Sequence, residues 1–597
     1  MATLTLLTDT HGFPSAGDDI NTDGYVAVIP AFQKVYYADG RNYDNKGFHK
    51  LDFVNTKITA SGVTTALFRG EAVTQVTSGA QGVYDECTDV KLSGTQTGTF
   101  VLGEKVTQAS SGAIGYVVNV ASGVLTVCPV SRDSSTGEAV DFDAATDTVT
   151  GATSSATIAT VTGVTAEGLG LYHFIYRTTT TEFDNSNLIT GAISGGVITP
   201  TAVTAPPHWL TWKPHAQWVA GSAPAAATVT NAGIMPGGGS NIGVLCFGRI
   251  FLNSMENPHH WVCSRINYPL DFDTSQTDVA AATTSQNTPK AGLVGSPIVA
   301  MVSYKDHYLV FGCASEVYVL RSDPLMGGVN TPVSKETGFF SPESWCWDDR
   351  NNLYFLGIDG IYRLSSDAIQ GALPPENITK KNIPKLISSM GLNRRTDRVA
   401  MAYDKQRYGI KVSVTQKDGA WAAVFWIDLR TGGLFPDKYP TDQSPASLLY
   451  FDSYKTSERG LLEGGYDGYI RKADESEKND EGDNAIEAYF AVGPFVNDKN
   501  PREKIETDET SVTAGEDTDG ITVELYRADS ADELIKNVIA GSTPAATKTL
   551  TGDGLLASIR DRVAGRAIAH RFKNVTADES FSIEGINTNI IQSGKVK

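Results

Sequence analysis

The chain has 597 residues, too many for one core, and its length predicts three or four domains. Its 49 Lys/Arg against 68 Asp/Glu give a formal net charge of −19, which argues against a surface that holds nucleic acid or anionic lipid by counter-ion release. Hydrophobic residues at 41% exclude global disorder, and 58 glycines among dense Thr, Ser, Ala and Val exclude a helical bundle in favour of short strands and tight turns.

Met1 to Thr10 shows no cationic region ahead of a long apolar run, and no uninterrupted apolar stretch reaches about 18 residues anywhere. Neither a secretory signal nor a membrane span is expected, and the chain reads as a soluble protein. Residues 1–62 read as amino-terminal strands, with Tyr25 to Leu51 forming a first blade or part of a platform.

An internal repeat follows. Val73-Thr74-Gln75-Val76-Thr77-Ser78-Gly79-Ala80 recurs as Val106-Thr107-Gln108-Ala109-Ser110-Ser111-Gly112-Ala113 and again as Val149-Thr150-Gly151-Ala152-Thr153-Ser154-Ser155-Ala156. Gly-Glu precedes the first two copies, at Gly70-Glu71 and Gly103-Glu104. Each copy predicts a strand, a tight turn and a return strand, because Gly tolerates the positive φ of such turns. Residues 63–163 are therefore expected to form an inserted β-repeat module. Residues 164–240 read as strands and a Gly/Pro-rich connection, with Leu171 to Trp212 a further blade candidate. Gly237-Gly238-Gly239-Ser240 reads as a hinge, since neither the Lys-Ser/Thr of a P-loop nor the third Gly of a dinucleotide fingerprint follows.

From 241 to 475 a longer period appears. Val302 to Gly312 leads to Val317-Tyr318-Val319-Leu320, Trp345 to Gly357 leads to Ile361-Tyr362-Arg363-Leu364, and Gly464 to Gly468 leads to Tyr469-Ile470-Arg471. Tyr318 and Tyr362 lie 44 residues apart, and Tyr362 and Tyr469 lie 107 apart, which fits two units. A repeat of about 40–50 residues with four short strands is the spacing of a β-propeller blade. With further candidates at 244–273 and 399–436, the expectation is an all-β chain with a propeller of six or seven blades. Residues 476–597 read as an acidic, β-sandwich-like domain. Between 474 and 533 stand 19 Asp/Glu and 5 Lys/Arg, a local balance of −14, and Arg560, Arg562, Arg566 and Arg571 follow later among apolar residues.

Signatures of chemistry are nearly absent. Cys87, Cys128, Cys246, Cys263, Cys313 and Cys346 show no C-x-x-C pair and no His at zinc-ligand spacing, so buried free thiols in a reducing compartment are expected. His259-His260 beside Trp261 is the one histidine cluster, and it reads as a loop at a blade edge. No sialidase-type box marks the blades, although paired carboxylates for sugar hydrolysis depend on the fold alone. No catalytic residue, metal or cofactor is expected.

The stretch Val244 to Asp273 carries Arg249-Ile250-Phe251-Leu252, Asn257-Pro258, Trp261-Val262-Cys263-Ser264-Arg265 and Leu270-Asp271-Phe272. It resembles a segment of phage β-propeller tail proteins. Arg562 to Phe572 and Ser580 to Ile586 are similar to their terminal strands, and the Ser-Gly-Ala repeats are similar to small β modules of virion proteins. Together these features resemble the tail nozzle (tail tubular protein B) family of short-tailed bacteriophages over residues 20–60 and 240–597, with the 63–163 insertion departing from it. The resemblance implies a homo-oligomeric ring, usually of six copies, below the portal and adaptor proteins and beside tail fibres or spikes. Viral DNA would pass through it without tight binding. It also implies a place in the virion tail after assembly in the host cytoplasm.

A conduit must repel the duplex, and an anionic wall does so. Asp474, Glu475, Glu477, Asp480, Glu481, Asp483, Asp508, Glu509, Glu516, Asp517 and Asp519 are the carboxylates expected to line it. Two other readings stay open: a host-receptor-binding or adhesin subunit using the inserted module, and a propeller enzyme degrading surface polysaccharide.

Overall fold

In a computed structural model, the described residues run from 24 to 595 except 42–47, 64–66, 68–70, 88–89, 102–103, 130, 132–139, 141, 145–146, 167–171, 194, 212–238, 268, 270–271, 273, 275–278, 289, 293, 372, 381–386, 388–389, 417–420, 440–442, 473–477, 481–483, 498–502, 517 and 552–555. The chain is all-β and divides into two compact units, 1–472 and 473–597.

Unit 1 contains six antiparallel sheets in series. Sheet 1 joins Ala27–Ala31, Lys34–Ala38 and Phe48–Asp52 to the distant His208–Thr211. Sheet 2 (Gly243–Cys246, Arg249–Asn253, Trp261–Cys263, Thr283–Thr284) and sheet 3 (Ile298–Tyr304, Tyr308–Cys313, Val317–Arg321, Val329–Ser334) are consecutive meanders. So are sheet 4 (Trp345–Trp347, Leu353–Leu356, Ile361–Leu364, Glu376–Asn377) and sheet 5 (Asp397–Asp404, Gly409–Gln416, Ala422–Asp428, Leu434–Asp437). Sheet 6 has three described strands, Pro445–Phe451, Gly460–Gly465 and Ile470–Lys472. First strands of sheets 1 and 2, 2 and 3, 4 and 5, and 5 and 6 lie side by side.

Period-two alternation explains why the middle strands are apolar without a break. Ile250 and Leu252 enter the core shared with Ile29 and Tyr36 of sheet 1, whereas Phe251 enters the core shared with Leu309 and Phe311 of sheet 3. Val310 then points the other way, to Phe355 of sheet 4, and Tyr354 continues to Val412 and Phe425 of sheet 5. Each of these sheets is thus covered on both faces. Phe339 stacks on Phe355 with ring centroids 4.3 Å apart, and a Cβ at position 312 would sit 2.4 Å from the Phe339 ring. That close approach is why position 312, the last but one of this apolar strand, is glycine.

Buried ion pairs tie neighbouring sheets. The fully buried Arg249 holds Asp323 at 2.6 Å, and its other donors reach the carbonyls of Ser264 (3.0 Å), Val279 (2.9 Å), Ala280 (3.1 Å) and Ala281. Sheets 5 and 6 are tied by Lys411 and Glu463 at 2.7 Å, with Tyr439 bridging both.

Two six-stranded closed barrels separate the third and fourth strands of sheet 1. The outer barrel comprises Thr56–Val63, Ala72–Gln75, Ala80–Cys87, Tyr172–Arg177, Ile189–Gly191 and Val197–Thr204. The inner barrel, Val90–Thr97, Lys105–Gln108, Ile114–Ala121, Val124–Pro129, Val149–Gly151 and Thr157–Ala166, interrupts it between its third and fourth strands. Both close in the same strand order, so each barrel is two three-stranded halves related by a pseudo-two-fold. The insertion therefore spans 56–204 and not the expected 63–163. Leu171 to Trp212 is no blade: three of its strands close the outer barrel, and only His208–Thr211 joins a serial sheet.

The three repeats are hairpins at equivalent barrel positions, and Ile189-Thr190-Gly191-Ala192 opens a fourth. Gly79, Gly112, Ser155 and Gly195 occupy the same turn position with φ of 77°, 71°, 55° and 65°. Buried Glu104 accepts hydrogen bonds from Thr153 N (3.0 Å), Ser154 N (2.9 Å) and Ser154 Oγ (2.7 Å) in the opposite hairpin turn, and Glu71 accepts from Ile193 N at 2.9 Å. A Cβ at Gly151 would lie 2.6 Å from Glu104 Oε2, so the half that receives the carboxylate carries Gly where the donating half carries Gln. Those glutamines, Gln75 and Gln108, are fully buried and clamp the main chain at Asp184 and Asp143.

Unit 2 packs two four-stranded sheets across one core. Ala488–Val496, Ala567–Asn574, Gly520–Ala528 and Ala546–Thr551 form one sheet; Leu556–Ile559, Glu503–Ala514, Val563–Gly565 and Ile583–Lys595 form the other. Val512, Ile559 and Val563 meet Ile521, Val523, Leu525 and Phe572 between them. Helix Ala531–Ile539 is capped by Ser530 Oγ, which accepts from Glu533 N, and buries Leu534 and Val538 against Tyr526 and Ala569.

Candidate functional site

Of the eleven carboxylates expected to line a passage, Asp474, Glu475, Glu477, Glu481, Asp483 and Asp517 lie outside the described residues. Asp480 belongs to a two-strand hairpin, Asn479–Asp480 with Asn484–Ala485. The other four are on the carboxyl-terminal unit and reach solvent to differing degrees. Asp508 and Glu509 sit on Glu503–Ala514, where the pairing with Ile583–Lys595 shifts register between Thr507 and Glu509. The bulge leaves Asp508 and Glu509, successive residues, both half-exposed, where regular alternation would bury one. Glu516 and Asp519 follow in the exposed connection to the next strand.

These acids are not an unbroken anionic wall. Arg562 Nε stands 3.3 Å from Asp508, Arg560 Nε stands 3.5 Å from Glu509, and Lys478 Nζ stands 2.7 Å from Asp519. Asp519 also accepts from Ser580 N at 2.9 Å. The Ser558 hydroxyl and then Arg560 hold Glu509 below the usual carboxylate range, and Lys478 and then the Ser580 N–H do the same for Asp519. Both therefore keep their charge into mildly acidic solution. The arginines at 560 and 562 were visible in the sequence. Their pairing was not, because it depends on strands about 50 residues apart becoming neighbours.

The remaining sequence candidates resolve into structural roles. His259 Nδ1 meets the Val294 carbonyl at 3.1 Å and His260 Nδ1 meets Ser285 Oγ at 3.2 Å, and among the described residues no three potential metal ligands converge. Gly239 takes φ 89°, a Cβ there would sit 2.4 Å from the Arg41 carbonyl oxygen, and Ser240 is fully buried, donating to Asn253 at 2.7 Å. The described end of the Gly-rich stretch is therefore pinned, not hinge-like. Cys246, Cys263, Cys313 and Cys346 are buried free thiols, and burial pushes Cys246 and Cys263 up to about 12. A cavity of about 130 Å³ between sheets 4 and 5 is lined by Tyr354, Arg363, Thr379, Asp428 and Leu434. No described helix is long and apolar enough to cross a membrane.

No protein-family model and no curated protein matches the chain. Among solved structures it is similar to the extracellular domain of a hybrid two-component system from B. thetaiotaomicron, at 14% identity and TM-score 0.26, over 40% of this chain and 28% of that one. It is also similar to Kluyveromyces lactis Hsv2, at 10% identity and TM-score 0.22 over 45% and 78% of the two chains. TolB from Acinetobacter baumannii matches at 8% identity and TM-score 0.21 over 57% and 65%. The chain spans less than a third of the first of these. Superpositions this loose carry no functional argument.

Proposed function

We propose that the chain is a structural protein of a bacteriophage tail, forming a ring below the portal and adaptor through which the genome leaves. Its six serial sheets are read as the blades of one propeller, and the carboxyl-terminal unit as a β-sandwich. The observation that carries this reading is a local charge of −14 between 474 and 533, on an all-β chain of net charge −19. Such a body grips no polyanion, because neutralising even six to ten phosphates would retain DNA strongly and in a salt-dependent way. Buried inter-sheet ion pairs suit a part that must hold its shape under load, and a ring requires a heterologous interface that closes. The quoted motifs from Val244 to Asp273 and from Arg562 to Ile586 point to the same family.

Electron microscopy of the purified protein and of the virion tests the proposal. A ring with a bore of duplex width, about 20–40 Å, is expected. Single particles with no bore, or labelling confined to a fibre tip, would sink it. Receptor binding by the inserted barrels is a second reading with one specific observation behind it. Val76 and Ile193, in the two related turns of the outer barrel, are 80% and 74% exposed. The corresponding inner-barrel residues are Ala109 and Thr153. Binding of the isolated protein to susceptible cells separates the two readings.

A further inference from the structure

Sheet 1 meets the outer barrel at a cluster of ionisable side chains that the conduit reading does not use. Lys34 opens strand Lys34–Ala38 and is 8% exposed, Asp52 closes Phe48–Asp52 and is fully buried, and Asp85 lies in Ala80–Cys87. Lys34 Nζ is in direct contact with Asp85 Oδ2 and stands 3.8 Å from Asp52 Oδ2. Asn55 Nδ2 donates to both carboxyl groups, at 2.7 Å to Asp85 Oδ2 and 3.0 Å to Asp52 Oδ2. Asp52 Oδ1 also accepts from Val54 N and Asn55 N, each at 3.0 Å.

Two carboxyl groups brought together by one amide and one ammonium do not share charge evenly. Asp52 Oδ1 is held by two backbone N–H donors, whereas Asp85 Oδ2 is met by both the Lys34 nitrogen and the Asn55 amide. The nearest proton is on Lys34. Its transfer gives a neutral amine against a neutral carboxylic acid, the pair that a poorly hydrated site favours over separated ions. A nitrogen 8% exposed and held against a carboxyl oxygen of Asp85, itself 19% exposed, has the high effective concentration that condensation needs.

We propose that Lys34 and Asp85 are joined by an intramolecular isopeptide bond, with Asp52 as the proton carrier. The Lys34 Nζ lone pair attacks Asp85 Cγ and a C–N bond forms, while the Asn55 amide polarises the acyl oxygen. Asp52 takes the proton lost by nitrogen and returns it to the departing oxygen. The C–O bond breaks and one water leaves. Nothing is oxidised or reduced, and Asp52 ends as the carboxylate it began. The product fixes the second strand of sheet 1 to the third strand of the outer barrel, across 51 residues of sequence.

Intact-mass spectrometry of the denatured full chain tests this, with an expected deficit of one water, about 18 Da, against the sequence mass. Proteolysis should yield a branched peptide joining the Lys34 and Asp85 fragments, with no cleavage after Lys34. Lys34→Arg and Asp52→Ala should both restore the full mass. Asp85→Asn should lose ammonia instead of water, a deficit of about 17 Da. A native chain at full sequence mass overturns the proposal whatever the variants do. So does a water deficit without the branched peptide, since an Asp-Gly succinimide gives the same mass.

Discussion

His570 offers a direct test of how the carboxyl-terminal unit is held together. Its ring is fully buried between the two sheets, with Nε2 3.1 Å from Thr510 Oγ1 and Phe495 and Phe572 packed beside it. Among the described residues Nδ1 has no partner, so a second N–H would point at nothing that can accept it. Burial depresses the group from 6.5 to about 4. The folded state therefore binds the proton less readily than the unfolded chain. The stability from the neutral ring is fully present above pH 6.5 and is lost as pH falls towards 4. Moving from pH 7 to pH 5 should remove about 2 kcal/mol. For a unit of this size that is a fall of about 6–10 °C in melting temperature.

Calorimetry at pH 7, 6 and 5 on the native chain and on His570→Phe measures it, because the variant keeps the volume and cannot titrate. The eight tryptophans all lie between 209 and 426, so fluorescence follows the amino-terminal unit and separates its transition from that of the other. Equal pH dependence in the two proteins would refute the argument.

Other expectations are as direct. Arg249→Ala should cost about 3–5 kcal/mol by leaving Asp323 and a set of carbonyls without their donor, and Arg249→Met with Asp323→Leu should recover part of that in urea melts. Ser155→Gly should stabilise the inner barrel by about 1 kcal/mol, since Ser155 alone among the four equivalent turn positions pays the left-handed backbone cost of a side chain; no gain in thermal melting would count against the strain. Glu104→Gln should weaken the same barrel while preserving its shape, because a neutral amide accepts less strongly from Thr153 and Ser154, and hydrogen exchange in 152–156 should rise at least tenfold. If the acidic unit faces a passage, Glu516→Lys should leave the fold intact and slow genome release at low salt, with the rate recovering as salt rises.

Much of the sheet series was legible because covered strands write continuous apolar runs into the sequence. Tyr318 and Tyr362 mark the third strands of two successive sheets, and the turn glycines mark the ends of their second strands. The barrels were harder. Gln75 and Gln108 look like ordinary polar strand residues until the opposite half closes over them. The fourth hairpin is masked in the sequence because Ile193 and Gly196 replace Thr/Ser and Ala of the motif. His208–Thr211 pairs with Phe48–Asp52 across both barrels, a contact that local pattern cannot carry. The acidic segment was plain as composition, yet its ion pairs to Arg560 and Arg562 depend on register.

The nesting of the two barrels has a practical side. Cys87 pairs with His173, so the chain leaves for the inner barrel and comes back at adjacent stumps; Lys57 pairs with Thr204 and gives the outer barrel the same arrangement. Either could be excised and its ends sutured by a short linker without breaking a strand of the frame beneath. The molecule is laid out as cassettes within cassettes, and a lineage carrying it could gain or shed such decorations while the underlying scaffold stayed untouched.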